Sequence, residues 1–222
     1  MTKFLHGFVK VTGFIVYALV FRTKIHYQNK KEQGRKIDGS AIIISNHTSV
    51  FDYAQMLYLF PFRVLRYVVA EILMNRRVLG TFLKLMGAVK VDRNAFDFTF
   101  IGKCEEILEK GGVIGIFPES RLPRKDEERP LDFKPSAAYI ALRSGVPIIP
   151  VYTDGKYFCA ERSHVIVGEK IYVSELVDES LPEKEQVAQI SVALREKILE
   201  LKDELQRQSG KKETEQKEET PV

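Results

Sequence analysis

Short apolar runs alternate with amphipathic stretches along most of the chain, and this alternation predicts its secondary structure. Runs enriched in Ile and Val predict strands at 41–45, 66–70, 88–92, 112–116, 146–152 and 163–173. Apolar residues that recur at helical spacing predict helices near 50–60, 72–86, 95–110 and 134–144. Strands that alternate with helices predict an α/β fold, with a mainly parallel β-sheet flanked by helices on both faces.

A dense apolar run from Phe4 through Phe21 precedes the first predicted strand. As a helix of about eighteen residues it would reach roughly 27 Å, slightly short of a ~30 Å hydrocarbon core. The following segment sets six basic residues against Glu32 alone: Arg22, Lys24, Lys30, Lys31, Arg35 and Lys36. Such a flank suits anionic lipid headgroups at a cytoplasmic membrane face. Residues 1–36 are therefore expected to form a membrane-associating helical segment, with an amphipathic helix packed on the domain as the alternative.

The C-terminal part of the chain divides into a helix and a tail. A capping-box sequence from Ser180 to Glu183 opens a helix whose apolar residues recur at Val187, Ile190, Leu194, Ile198, Leu201 and Leu205. This stripe is expected to face the core, with partner binding as the alternative. Residues 209–222 have no apolar face and are expected to form a disordered charged tail. The remaining residues, 37–208, are expected to form one domain.

Composition narrows the functional classes. A chain of 222 residues with 45% hydrophobic content can bury one substantial core. Cys104 and Cys159 are too few for a disulfide scaffold, which makes a reducing cytosolic side the default. The four His and two Cys show no metal-ligand spacing, so no metal is predicted. A second basic stretch from Arg63 to Arg93 lacks a nucleic-acid recognition motif, and no nucleic-acid partner is predicted.

The sequence Asn-His-Thr-Ser-Val-Phe-Asp at 46–52 directly follows the first predicted strand. A histidine on a strand-to-helix turn lies in the crevice above the sheet, where open α/β folds bind ligands. Asp52, one turn into the helix, can accept a hydrogen bond from one ring nitrogen of His47. The other nitrogen is then free to take a proton from a substrate hydroxyl. Asp52 also fits the last position of a capping box that begins at Ser49, which is a purely structural role.

Three further blocks follow in order. Gly-Ala-Val-Lys-Val-Asp-Arg at 87–93 ends a strand with an arginine, and Gly-Ile-Phe-Pro-Glu-Ser-Arg at 115–121 ends another with a Pro-Glu turn. The last strand block, at 146–151, comes after a Phe-Lys pair at 133–134. Together with the His-Asp block, these resemble the four sequence blocks of the glycerolipid acyltransferases, most closely the 1-acyl-glycerol-3-phosphate (lysophosphatidic acid) acyltransferases. Ser120 stands where that family usually has glycine, although serine resists positive φ.

The resemblance implies a membrane-associated enzyme of phospholipid biosynthesis at the cytoplasmic face. Such an enzyme moves a fatty acyl group from acyl-CoA or acyl-acyl carrier protein to the free hydroxyl of 1-acyl-glycerol 3-phosphate, giving phosphatidic acid. No cofactor is implied beyond this acyl thioester. His47 would act as general base, oriented by Asp52, and the hydroxyl would attack directly. The chain has no Gly-x-Ser-x-Gly elbow that would support a serine acyl-enzyme.

Four residues are expected to bind substrate. Arg93 and Arg121 carry the planar guanidinium suited to phosphate, while the resemblance implies that Glu119 and its Phe117-Pro118 turn shape the acceptor site. Lys134 of the Phe-Lys block is also expected to bind substrate. The structural alternatives are an exposed strand-end residue for Arg93 and a turn-capping carboxylate for Glu119. Two other functions stay open: acylation of another lysophospholipid or hydroxylated lipid, and non-catalytic lipid binding on the same fold.

Overall fold

The computed structural model describes residues 1–92, 99–124, 126–158 and 161–218, with side chains through residue 210. Its strands are β1 (Lys24–Tyr27), β2 (Ala41–Ser45), β3 (Leu65–Ala70), β4 (Val89–Val91), β5 (Val113–Ile116), β6 (Ile148–Thr153) and β7 (His164–Val167). Its helices are α1 (Thr2–Val20), α2 (Asp52–Leu59), α3 (Glu71–Met74), α4 (Arg77–Leu85), α5 (Thr99–Glu109), α6 (Ser136–Ser144) and α7 (Glu183–Glu218). A short 3-10 helix occupies Val173–Glu175.

The described strands form one sheet in the order β1-β7-β6-β2-β5-β3-β4. The pairs from β6 to β4 are parallel, β6 and β7 are antiparallel, and β1 pairs parallel with β7. Helices connect the consecutive strands from β2 to β6, as parallel pairs require. The connection from β6 to β7 is too short for a crossover helix, so the chain turns back antiparallel. The predicted α/β fold with a mainly parallel, helix-flanked sheet is confirmed.

Strand β2 lies between two hydrophobic clusters, one on each face of the sheet. Its unbroken apolar run is buried on both faces, as a central parallel strand requires. Ile42 and Ile44 pack into the cluster that holds α5, α6 and α7, whereas Ala41 and Ile43 pack into the cluster that holds α1 and α2. The predicted stripe of α7 is confirmed as core-facing, since all six of its residues lie in the first cluster: Val187, Ile190, Leu194, Ile198, Leu201 and Leu205.

Three elements differ from the sequence prediction. Strand β1 lies inside the basic flank and was not predicted, because its pairing with β7 is a tertiary contact. The stretch predicted as one helix at 72–86 forms α3 and α4. These helices meet so closely that a Cβ on Gly80 would lie 2.0 Å from the Met74 carbonyl oxygen. The strand predicted at 163–173 ends at Val167, and only an isolated bridge at Ile171 continues the pairing.

The ends of the chain bear on the predicted domain boundaries. β1 belongs to the sheet although it lies within residues 1–36, and the backbone of α7 is helical through Glu218. Of the predicted tail, residues 209–218 have the helical backbone of α7, with side chains described only through residue 210, and residues 219–222 lie outside the described residues. The division at residues 36 and 208 stays a prediction.

One side of α1 docks on the domain. His6 Nε2 lies 2.9 Å from the Met86 carbonyl oxygen, and Tyr17 stacks on Tyr58 with ring centroids 4.3 Å apart. Lys10 Nζ caps the end of α2 by donating to the carbonyl groups of Phe60, Pro61 and Arg63. These contacts join α1 to α2 and to the loops at the end of the sheet.

The opposite side of α1 is an apolar surface open to solvent. Its exposed large side chains are Met1, Phe4, Phe8, Val11, Phe14, Ile15, Val16 and Leu19. Among the described helices, α1 alone is long and apolar enough to cross a membrane by length and composition. The helix therefore has one side committed to the domain and one side free.

Candidate active site

The connections that leave β2 and β5 run toward opposite ends of the strand order, and each crosses a different face of the sheet. The chain passes from β2 through α2 to β3 on the face that carries α1, and from β5 through α6 to β6 on the other face. In an open α/β sheet this arrangement creates a crevice at the carboxyl ends of the strands, where ligands bind. His47 follows β2 and Glu119 follows β5, so both residues lie at this edge.

His47 and Asp52 are in direct contact. His47 Nδ1 lies 2.8 Å from Asp52 Oδ2, and the imidazole is 17% exposed whereas the carboxylate is fully buried. With the proton on Nδ1, facing the carboxylate, the other ring nitrogen is an acceptor. No described residue forms a hydrogen bond to that nitrogen, Nε2. The pair has the geometry of a general base and its orienting carboxylate.

Asp52 accepts hydrogen bonds from five groups. The N–H groups of Thr48 and Ser49 donate to Oδ2 at 2.6 and 2.9 Å, beside the bond from His47. The hydroxyls of Thr48 and Tyr157 lie 2.8 and 2.7 Å from Oδ1. The bond from the Ser49 N–H is the one that a capping box provides. Helix α2 begins at Asp52 itself, with Phe51 as its N-cap and no side-chain cap, so of the expected capping box only this bond to the Ser49 N–H is present, beside the contact to His47.

Tyr157 is a site residue that the sequence analysis missed. Its ring is 8% exposed, and its hydroxyl lies 2.7 Å from Asp52 Oδ1 and 2.6 Å from Gln55 Oε1. Burial and the negative charge of Asp52 raise the pKa of Tyr157, so the hydroxyl keeps the proton that it donates. No sequence pattern marks this tyrosine, because it lies in the loop after β6, 105 residues from Asp52.

Asn46 fixes the carboxyl end of strand β2. Its side-chain amide donates to the Thr153 carbonyl oxygen and accepts from the Thr153 N–H, both at 2.9 Å. These two bonds continue the pairing of β2 with β6 beyond Ser45. The residue that directly precedes His47 is therefore held to the neighbouring strand.

Stacked aromatic rings support one face of His47. The imidazole lies on Phe117 with centroids 4.3 Å apart and planes at 11°, and Phe117 stacks on Tyr67 at 5.0 Å. Tyr67 is buried, and Gly115 leaves the room for its ring, because a Cβ at position 115 would lie 2.3 Å from a ring carbon. The orientation of the imidazole therefore depends on a glycine in β5.

Glu119 connects the turn that carries His47 to the loop that carries Leu131. The residue is 2% exposed, and its two oxygens accept from the N–H of His47 at 2.7 Å and from the N–H of Leu131 at 2.9 Å. Burial is the largest influence and raises the pKa of Glu119, while the two amide bonds lower it. With each oxygen bonded to backbone, these contacts favour the turn-capping alternative over direct contact with a substrate.

Ser120 adopts the left-handed backbone conformation. Its φ is 59°, and its N–H donates to the Phe117 carbonyl oxygen at 3.0 Å, which closes the Phe-Pro-Glu-Ser turn. A residue with a Cβ costs about 1–2 kcal/mol in this region relative to the right-handed one. Serine thus occupies a position whose geometry suits the glycine usual in the resembling family.

Arg121 and Lys134 lie on either side of this turn. The Arg121 guanidinium is 48% exposed and donates to both carboxylate oxygens of Glu127 at 2.6 Å. This pairing lowers the pKa of Glu127 to about 2. The N–H of Lys134 donates to the Pro118 carbonyl oxygen at 2.9 Å, and the Lys134 residue is exposed. Both side chains can therefore reach solvent next to the turn that holds Glu119.

The fourth expected substrate-binding residue, Arg93, belongs to residues 93–98, which lie outside the described residues. Its role at the acceptor phosphate stays a prediction.

As for metal ions, no group of three or more His, Cys, Asp or Glu side chains within the described ranges is placed to hold one.

Known proteins share this sequence and fold. A family model described as Acyltransferase matches residues 22–154, which is more than half of the chain. The 1-acyl-sn-glycerol-3-phosphate acyltransferase of Bacillus subtilis (strain 168) is 28% identical over 174 residues, covering 76% of this chain and 84% of that protein. The 1-acyl-sn-glycerol-3-phosphate acyltransferase beta of Homo sapiens is 24% identical over 186 residues, covering 78% of this chain and 66% of that protein.

A solved structure shares the architecture. The crystal structure of PlsC, the 1-acyl-sn-glycerophosphate (LPA) acyltransferase from Thermotoga maritima, superposes with a TM-score of 0.62 at 17% identity. The match covers 88% of this chain and 80% of that one, and it supports the fold. The family model matches the region that contains both the His-Asp turn and the Pro-Glu turn. This chain therefore belongs to the acyltransferase family.

Proposed function

We propose that this protein transfers a fatty acyl group from an acyl thioester to the free hydroxyl of 1-acyl-glycerol 3-phosphate, giving phosphatidic acid. The donor is acyl-CoA or acyl-acyl carrier protein, and no further cofactor takes part. The observation that carries the proposal is the 2.8 Å contact between His47 and the fully buried Asp52 at the crevice of the sheet. The acceptor is inferred from the names of the Bacillus subtilis and human relatives.

The proposed mechanism uses His47 to move one proton. Asp52 accepts from Nδ1–H, which leaves Nε2 to take the proton of the acceptor hydroxyl as its oxygen attacks the thioester carbon. The new C–O bond forms, the C–S bond breaks, and the departing thiolate takes the proton from His47. Tyr157 and the amides of Thr48 and Ser49 hold the Asp52 carboxylate in place throughout.

The acceptor's phosphate is proposed to bind the cations around the Pro-Glu turn. Arg121 and Lys134 are these cations. Arg93, which lies outside the described residues, is proposed as a further phosphate-binding residue on the sequence blocks alone. Glu127 already pairs with Arg121, but an exposed pair contributes little to stability, so a phosphate can replace this carboxylate. A guanidinium bonds two phosphate oxygens at once, which favours arginine for this role.

The apolar side of α1 is proposed to lie on the cytoplasmic face of a membrane. His6, Lys10 and Tyr17 tie the other side of the helix to the domain over most of its length. A helix held in this way places its free apolar side in the interfacial plane rather than across the bilayer. Its last turn leads to Phe21, which packs against Tyr157 beside the catalytic turn. Residues 1–36 thus serve as the membrane-associating segment and residues 37–208 as the acyltransferase domain.

Acyl transfer by the purified protein tests the chemistry. With labelled acyl-CoA and acyl-acyl carrier protein supplied separately, we expect phosphatidic acid from 1-acyl-glycerol 3-phosphate. His47→Ala should lower turnover by about 10²–10⁴-fold, because that is the usual contribution of a general base. Asp52→Asn should also lose much of the rate, whereas the exposed Asp38→Asn is the control and should not. Near-normal turnover by His47→Ala would overturn the mechanism.

Acceptor selection tests the substrate. Transfer to another lysophospholipid but not to 1-acyl-glycerol 3-phosphate would contradict the assigned acceptor while retaining the reaction. Absence of transfer to any lysophospholipid, with binding of the lipid retained, would identify a non-catalytic lipid-binding protein.

Membrane binding is tested by changing only the exposed side of α1. Removal of residues 1–21 would also remove Tyr17 and Phe21 from the core, so substitution is the cleaner experiment. Phe4→Ser combined with Ile15→Ser should weaken vesicle binding at least about a hundredfold, since burying each such side chain is worth about 1.5–3 kcal/mol. The control double variant, Tyr172→Ser with Val192→Ser, also removes two exposed apolar side chains and should bind normally. Equal vesicle binding by both double variants would contradict the proposed surface.

A further inference from the structure

A second cavity lies at the opposite edge of the sheet from His47. It has a volume of about 580 Å³ and lies between α1, the loop before β3 and the loop before β5. Because β3 and β5 run parallel to β2, their amino ends are at the edge remote from the catalytic turn. This cavity is therefore separate from the candidate active site.

Positive charge dominates the walls of this cavity. None of the described residues that line it is acidic. Five of them are basic: Lys3, Lys10, Arg63, Arg66 and Lys110. Lys10 and Arg63 donate to backbone carbonyl groups, which satisfy their N–H groups without neutralising their charge. Lys110 pairs with Glu106, whereas Arg66 has no ion-pair partner in the described part of the chain. Like charges brought this close favour a bound anion.

His6 lies beside the positive charges of this cavity. This residue lines the cavity and is 2% exposed, yet its Nδ1 has no hydrogen-bond partner among the described residues. Its other nitrogen is committed to the Met86 carbonyl oxygen at 2.9 Å. Nε2 carries the ring proton toward that oxygen, while burial and the charges of Lys10 and Arg66 lower the pKa of His6, so Nδ1 is an acceptor that does not itself bind an anion. The ring therefore senses the positive charge of the cavity without contacting the phosphate.

The surroundings of the cavity indicate a lipid. Lys3, His6, Gly7 and Lys10 form one side of α1, and the exposed Phe4 and Phe8 directly follow Lys3 and Gly7 along the helix. Phe62, which also lines the cavity, is 74% exposed. A cationic cavity bordered by exposed apolar side chains matches a phosphate headgroup attached to acyl chains.

We propose that this cavity binds the phosphate of an anionic phospholipid, and that it fixes the orientation of the protein on the membrane. Arg66 and Lys3 supply the charge that is not already used by backbone carbonyls, and the lipid's acyl chains lie against Phe4, Phe8 and Phe62. Basic residues between helices are a known form of lipid-headgroup recognition. The contact is independent of acyl transfer, because the cavity is at the other edge of the sheet.

Vesicle co-sedimentation with a charge-matched control tests this proposal. The full-length double variant Lys3→Gln with Arg66→Gln is compared with Lys103→Gln combined with Lys184→Gln, which removes the same charge from exposed positions on α5 and α7. On phosphatidylcholine vesicles containing phosphatidylglycerol, the cavity variant should partition about thirtyfold more weakly than wild type, at about 1 kcal/mol for each basic residue. On pure phosphatidylcholine vesicles both variants should match wild type. Equal partitioning of the two double variants on the anionic vesicles would overturn the proposal.

Two further measurements identify the source of the phosphate and the place of binding. Inorganic phosphate should not raise the melting temperature of wild type; if it does so for wild type but not for the cavity variant, the site takes free phosphate and the lipid assignment is wrong. Short-chain phosphatidylglycerol should shift the His6 Nδ1 resonance of ¹⁵N-histidine-labelled protein, and an unmoved resonance would contradict binding in this cavity. Acyl transfer to detergent-dispersed acceptor should be the same in both double variants, which separates this test from that of the proposed activity.

Discussion

Replacing Glu119 by glutamine would show whether this carboxylate clamps the turn that carries His47 or contacts the substrate. The two carboxylate oxygens accept from the N–H groups of His47 and Leu131 at 2.7 and 2.9 Å, and the residue is 2% exposed. Glutamine keeps the size of the side chain but has only one acceptor oxygen. Its NH₂ group would face a backbone N–H, so Glu119→Gln should lose one of the two clamps.

The expected size of the effect follows from these two bonds. A hydrogen bond to a charged group is worth about 1.5–3 kcal/mol, and leaving a buried N–H unbonded costs about 1–3 kcal/mol. Removal of a buried charge offsets part of this, and we expect a net loss of about 2–3 kcal/mol. For a domain of this size that lowers the melting temperature by roughly 4–12 °C. A displacement of the His47 turn on the order of 1 Å would lower kcat about 10²-fold.

The assay combines thermal unfolding with steady-state kinetics on the purified protein. Glu128→Gln, an exposed position in the same loop, is the control and should change neither quantity. A clamp predicts a lower melting temperature and a lower kcat, with little change in KM for either substrate. An unchanged melting temperature together with a raised KM for the acceptor would refute the clamp and assign Glu119 to substrate binding.

The difference in stability between wild type and Glu119→Gln should depend on pH, and the pKa of Glu119 gives the direction. Burial raises the pKa of Glu119 above its ordinary value, so the folded protein holds the proton more tightly than the unfolded chain. The stability that this contributes is present below the unfolded pKa and is lost as pH rises through the folded pKa. Glutamine does not titrate. The melting-temperature gap between wild type and Glu119→Gln should therefore narrow as the pH is raised from acid to neutral.

Three further substitutions test the structure around the site. Ser120→Gly should raise stability by about 0.5–1 kcal/mol in thermal unfolding, because glycine removes the left-handed strain but adds unfolded-state entropy; the same change at the helical Ser144 should be destabilising. Gly115→Ala should lower the free energy of unfolding by about 1–3 kcal/mol and lower kcat, since the added Cβ meets the Tyr67 ring that supports Phe117 and His47. The control Gly102→Ala, which has open space around its Cβ, should lower neither stability nor kcat. Tyr157→Phe should lose about 2 kcal/mol of stability and several-fold in kcat at unchanged KM, because one donor to the Asp52 carboxylate is removed. A kcat equal to that of the exposed control Tyr172→Phe would show that Tyr157 does not position Asp52.

Local features of this protein were predictable because their causes are local. The buried run of β2 is visible as consecutive apolar residues, and the stripe of α7 is visible at helical spacing. His47 and Asp52 are five positions apart, and the geometry of a strand, a turn and a helix start brings them together. The order of strands and helices along the chain likewise implied the mainly parallel sheet.

The remaining features depend on contacts between residues far apart in sequence. Glu119 bonds the amide of His47 across 72 positions, and Tyr157 reaches Asp52 across 105. The pairing of β1 with β7 is of the same kind, since no apolar period distinguishes β1 from the basic segment around it. Hydrophobic periodicity reports which side of an element is buried, but not which partner it meets. The sequence by itself therefore determined the sheet and the His-Asp pair, whereas only the tertiary structure decided which side chains hold that pair in place and which side of α1 stays free.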